Sequence, residues 1–108
     1  MARETGKSGY KAKLVRRLKR EFPDASIQHQ DPNATHQGIP DLKITIGDRW
    51  AMLEVKAAAN SRKQPNQDYW IDYYNQQSFA SFIYPENEEE VFNALFTTFR
   101  LERNARNS

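Results

Sequence analysis

The chain predicts an α+β fold, one mixed β-sheet with helices packed on it, and three observations lead there. Apolar residues recur at helical spacing near both ends: Leu14, Val15, Leu18 and Phe22, then Val91, Leu95 and Phe99. Two β-rich runs, Asp41–Ile46 and Arg49–Lys56, flank Gly47-Asp48, the signal of a two-residue hairpin turn. A further apolar run, Phe79–Tyr84, follows a helical segment, so it rejoins the sheet through a crossover. The predicted order is α-β-β-β-α-β-α.

Each element has a local reason. The first helix is expected from about Ser8 to Phe22, where Pro23-Asp24 stops it. Ser26 to Gln30 reads as a short strand. Residues 31–38 (Asp-Pro-Asn-Ala-Thr-His-Gln-Gly) are rich in turn formers and read as a loop, with Asp31 and Asn33 shaping it. Pro65 to Gln77 looks helical, with Pro65 near its first turn. Phe79 to Tyr84 is a buried strand bounded by Pro85. Glu86 to about Arg103 is expected to be one helix, with acids in its first turn and arginine in its last, as the helix dipole favours. At 108 residues a single domain, 1–108, is expected, with 1–7 and 104–108 as flexible ends.

Composition narrows the function classes. With 38% hydrophobic residues and no long apolar run, nothing reads as a membrane span. Met1 to Lys13 is basic and lacks an apolar core, so no secretion signal is expected. The absence of cysteine excludes disulfides and thiolate metal sites. A cytoplasm, bacterial or that of a phage-infected cell, is the expected compartment. Net charge is only +2, but residues 1–20 hold eight bases and a single acid, Glu4. Arg62-Lys63 and Arg100, Arg103 and Arg106 form further basic clusters. Such polarity suits a polyanion; solvated helix faces are the plainer alternative.

The hairpin register carries the chemistry. With Gly47 and Asp48 at the turn, Leu42 faces Leu53, Ile44 faces Ala51 and Ile46 faces Arg49. Leu42, Ile44, Ile46, Ala51, Leu53 and Val55 then share one apolar face. The same register sets Asp41 opposite Glu54, with Lys56 on the Glu54 side of the strand. Opposed carboxylates repel, and a divalent cation between them reverses the sign. Mg²⁺ prefers carboxylate, carbonyl and water oxygens, and the Val55 carbonyl offers one more. Lys56 would then orient a water or neutralise a phosphate. The plainer alternative is a pair of solubilising acids with Lys56 as ion-pair partner.

Ile39-Pro40-Asp41 followed by Leu53-Glu54-Val55-Lys56 resembles the signature of the PD-(D/E)XK nuclease superfamily, and the element order resembles its restriction-endonuclease-like αβββαβ core, here with a C-terminal helix. Through Gln37–Leu42, Arg49–Lys56, Pro65–Tyr69 and Ser78–Asn87 the likeness is closer to phage-type and VRR-NUC-like nucleases related to Holliday junction resolvases. It spans roughly residues 7–100. It implies a Mg²⁺-dependent DNA endonuclease, with Mn²⁺ able to substitute. Asp41 and Glu54 would bind the metal, Lys56 would assist the water, and Gln67 would sit near the phosphate or metal. Related sequences often carry a glutamate early in the first helix. That position falls near Lys7 here, and Glu4 is the candidate replacement.

The remaining expectations concern substrate and partners. Lys7, Lys11, Lys13, His36, Arg62 and Lys63 are candidate DNA contacts. A small chain without a separate reading domain favours recognition of DNA shape, such as branched DNA, over sequence. Symmetric cutting of a junction implies a two-fold homodimer. Tyr69, Trp70, Tyr73 and Tyr74 fall on more than one helical face, so core packing plus a dimer contact is expected of them. A less selective nicking nuclease and a catalytically inactive DNA-binding module are the alternatives.

Overall fold

In the computed structural model, which describes residues 6–31 and 37–103, the first helix α1 spans Gly6–Glu21. Leu14 and Leu18 bury its inner face, and Phe22 just beyond the helix completes that stripe. The strands follow as β1 (Ser26–His29), β2 (Leu42–Ile46) and β3 (Arg49–Val55). Helix α2 (Gln67–Asn75) leads to β4 (Phe79–Ile83), and α3 (Glu88–Thr98) closes the fold. The sheet runs β1-β2-β3-β4, antiparallel except for the parallel β3–β4 pair that α2 makes possible. This is the mixed four-stranded α+β architecture that the residue pattern predicts, C-terminal helix included.

The hairpin register is the one expected: Leu42 opposes Leu53, Ile44 opposes Ala51 and Ile46 opposes Arg49. Gly47 turns with φ +62 while Asp48 keeps negative φ, the pattern of a II′ turn. Leu42, Ile44, Ala51, Leu53 and Val55 are fully buried against Leu14, Leu18, Phe92 and Leu95, and Ile46 packs at the edge of this core. Phe22 sits among Phe92, Phe96 and Phe99 with ring centroids 4.6–6.0 Å away. Because β3 is central, its other face is covered too, and that is where Met52 and Glu54 lie.

Several boundaries differ from expectation, each for a physical reason. Gly6 and Lys7, expected in a flexible end, belong to α1, whose first turn is tied down by contacts of Lys7 described below. Pro65 lies outside α2, because Asn66 takes a left-handed conformation (φ 69) that turns the chain into the helix. The expected Glu86–Arg103 helix is broken at both ends. Pro85–Asn87 forms a 3₁₀ turn in which the Asn87 side chain accepts from the Tyr84 N–H and donates to the Phe82 carbonyl. At the other end α3 stops at Thr98. Arg100 goes left-handed (φ 56), its N–H donates to the Thr97 carbonyl, and the Leu101 N–H donates to the Phe96 carbonyl. This is a Schellman closure with arginine where glycine is usual, so residue type does not announce it. No base lies in the last turn of α3. Arg103 instead folds back onto Glu89 and Asn93.

Arg17 locks α1 to α3. Its guanidinium binds Glu21, Glu88 and Glu89 and lies 3.9 Å from the Phe92 ring centroid. Tyr10 also donates to Glu88, at 2.6 Å. Arg17→Met would leave a cluster of carboxylates without its central cation. We expect a loss of about 2–3 kcal/mol, less than for a fully buried pair. It would be read as a lower urea midpoint at unchanged slope.

Candidate active site

The site lies where the PD-like turn, β3 and the start of α2 converge. Pro40 is fully buried and Ile39 nearly so, which anchors Asp41 at the entry to β2. The Asp41 carbonyl accepts from the Gln30 N–H at 2.8 Å, so the β1–β2 ladder continues up to the site. Asp41 Oδ2 accepts from the Val55 N–H at 3.0 Å. Glu54 projects from the central strand and is 1% exposed. Its Oε1 is buried and has no hydrogen-bond partner among the described residues. Its Oε2 accepts from the Gln67 amide at 2.8 Å and lies 3.7 Å from Lys56 Nζ.

Lys56 and Gln67 are both buried and are joined directly. Lys56 Nζ donates to Gln67 Oε1 at 2.7 Å and to the Arg62 carbonyl at 3.0 Å. Gln67 Oε1 also accepts from the Gln64 N–H at 2.9 Å. Two donors therefore face one end of the amide and a carboxylate faces the other, which settles its orientation chemically. Gln67 holds the ammonium and the carboxylate in fixed relation. Gln67→Ala would leave both short of a partner. We expect a stability loss of about 1–3 kcal/mol, read as a lower midpoint in thermal melting.

Lys7 completes the cluster. Its Nζ sits 2.9 Å from Asp41 Oδ2 and 3.4 Å from Glu54 Oε2. One ammonium thus touches both acids, so the carboxylates lie on the same side of the sheet and within reach of a shared cation. Burial pushes the Glu54 carboxyl up to about 7, and the charge of Asp41 adds to the rise against Lys7 and Lys56. Burial disfavours the charge on Lys7, but the two carboxylates outweigh it and raise its pKa. A cleft of about 250 Å³ opens here between Lys7, Asp41, Glu54, Gln67, Gln64 and the 37–39 turn.

Asp41, Glu54, Lys56 and Gln67, singled out from sequence, therefore come together. Val55 meets the site through its N–H. Glu4 and His36 lie outside the described residues. Lys7, expected as a DNA contact, points inward at the acids. It lies near the position at which the resemblance to nucleases implies a glutamate, the one signal that marks it. Lys11 and Lys13 border two other clefts on α1. Arg62 is exposed beside the site. Lys63 pairs with Asp68 at 2.9 Å and lies over the Phe82 ring. Among the described residues, no three of His, Asp and Glu cluster closely enough to hold a metal by themselves. The donors present do fit a hard divalent ion that keeps waters and takes its remaining ligands from substrate: two carboxylates, one with a buried unpaired oxygen.

Comparison with known proteins places this geometry on a familiar scaffold. A solved structure described as a "VRR_NUC domain protein" superposes with a TM-score of 0.65, covering 90% of this chain and 90% of that one at 20% sequence identity. The likeness establishes a shared VRR-NUC-like fold. No family model matches the chain, and no curated protein matches it. Among the described residues, no helix is long and apolar enough to cross a membrane.

Proposed function

We propose that this protein is a Mg²⁺-dependent DNA endonuclease, with Mn²⁺ able to substitute, that hydrolyses phosphodiester bonds. One observation carries the reading: Asp41 and Glu54 share a single cation in an open cleft, beside the buried ammonium of Lys56. The VRR-NUC-like fold, shared with a solved structure described as a "VRR_NUC domain protein", supports it. Asp41 and Glu54 would hold the metal. When bound, it would polarise the phosphate and lower the pKa of water.

The chain's own groups then do the following. Lys56, fixed by the Arg62 carbonyl and Gln67, offers its positive charge to the non-bridging phosphate oxygens. Gln67 keeps Glu54 oriented. Hydrolysis adds water across one P–O bond and leaves a phosphomonoester and a free hydroxyl. The bases on α1 and at Arg62 give the backbone of DNA something to bind without reading its sequence.

We further propose that the substrate is branched DNA and that the enzyme acts as a two-fold dimer. Cutting a four-way junction symmetrically needs two centres, and Tyr69 and Tyr73, 60% and 44% exposed, offer aromatic surface for a partner. The test is cleavage of a four-way junction, a linear duplex and a single strand across Mg²⁺ and Mn²⁺ concentrations. Junction cleavage that disappears in Asp41→Ala while binding persists supports the reading. Equal cutting of all three substrates would replace it with a less selective nuclease. Binding without cleavage under every divalent ion would leave a DNA-binding module.

A further inference from the structure

We infer that Lys7 is a built-in counter-ion of the two acids, one that a divalent cation must displace and that the arriving DNA phosphate then takes up, so that metal and DNA bind cooperatively. The inference rests on the nuclease reading above and concerns how its centre is loaded.

Lys7 Nζ occupies the place a shared cation would take, 2.9 Å from one acid and 3.4 Å from the other. Nothing in α1 itself asks for a base there. Lys7 is the second residue of the helix, where the dipole disfavours positive charge, and the first turn holds no acid. Its partners lie 34 and 47 positions away in sequence, on other elements. The side chain is 44% exposed, so the ammonium can swing into solvent without disturbing the core. With Lys7 in place, Glu54 Oε1 still lacks a partner, so the lysine satisfies the centre only in part.

Charge explains the coupling. With both acids ionised, Asp41 and Glu54 are balanced by Lys7 and Lys56, and a divalent ion alone would leave an excess of two positive charges. A phosphodiester entering with the metal reduces that excess and gives the displaced ammonium a new partner. Each ligand therefore lowers the cost of binding the other, and the coupling must be reciprocal.

The test measures Mn²⁺ affinity directly, by the loss of the free-ion electron paramagnetic resonance signal. It uses the full chain, with and without a short phosphorothioate duplex that resists hydrolysis. Without DNA, Lys7→Met should bind Mn²⁺ about tenfold tighter than the native protein, and Lys7→Glu tighter still. Lys7→Arg, which keeps the charge, should bind like the native protein. The duplex should tighten Mn²⁺ binding to the native protein far more than to Lys7→Met. If Lys7→Met binds Mn²⁺ no tighter, while Asp41→Asn abolishes binding, the role of Lys7 is overturned and the nuclease reading stands. If no form binds Mn²⁺ with or without the duplex, both readings fall together.

Discussion

Glu54→Gln should lower cleavage by about three orders of magnitude while making the metal-free protein more stable above pH 7. On the proposed nuclease reading, the rate loss follows from removing a carboxylate that would hold the metal, roughly 4 kcal/mol of transition-state stabilisation. The stability gain follows from the same burial that makes the site. In the unfolded chain the Glu54 carboxyl titrates near 4.5, and in the fold it is pushed up to about 7 by burial and by the charge of Asp41. Between those values the folded protein holds a proton that the unfolded chain releases. The stability this carboxyl contributes is therefore fully present below about pH 4.5 and is lost as pH rises through about 7. The loss is on the order of 2–3 kcal/mol. Urea denaturation at several pH values, with a chelator present, should show the decline in the native protein and a flatter profile in the amide variant. Mg²⁺ should flatten the native profile too, because it favours the ionised acid. Identical slopes in native and variant protein would mean that Glu54 is not the group responsible.

Gly38→Ala should damage the protein through the backbone that frames the cleft. Gly38 has φ +87, a conformation that costs a side-chain-bearing residue about 1–3 kcal/mol. A Cβ there would also lie 2.6 Å from the Pro65 carbonyl oxygen and 2.9 Å from the Asn66 carbonyl carbon. Both obstacles are backbone, so the chain itself must move. The segments forced apart are the 37–40 turn that anchors Asp41 and the turn at Asn66 that starts α2 and presents Gln67. We expect a stability loss of about 3 kcal/mol or more. We also expect a fall in kcat/KM approaching 100-fold, the usual effect of misplacing catalytic groups by about an ångström. A variant that melts and cuts like the native protein would show that this contact does not position the site.

The contrast between Gly47 and Gly38 shows how much was legible beforehand. Gly47 is interpretable from its neighbours, because Gly-Asp between two β-rich runs specifies a hairpin and its register. That register runs to Leu42 opposite Leu53; Asp41 and Lys56 lie just outside the paired strands, and Asp41 meets the Glu54 end of β3 by accepting from the Val55 N–H. Gly38 is followed by Ile39-Pro40-Asp41, and nothing nearby says that residues 65 and 66 press against it. The same holds for the helix ends. Periodicity located α2 and α3, but arginine does not advertise the left-handed turn at Arg100, and Asn66, a residue that tolerates that conformation, falls inside the helical pattern. Gln67 was recognisable as a candidate, while its hydrogen bonds to both Lys56 and Glu54 were not.

Period-two and helical patterning, a two-residue turn and the order of elements were sufficient, by themselves, to determine the mixed sheet and its central hairpin. These are local or register-bound properties, and a shift of one residue would turn the apolar set out of the core. The tertiary structure alone decided that Lys7 sits between Asp41 and Glu54, that Gln67 braces Lys56, and that Glu54 is left with an unpaired oxygen. Each of these depends on side chains brought together from separate elements, and on the burial those elements create jointly.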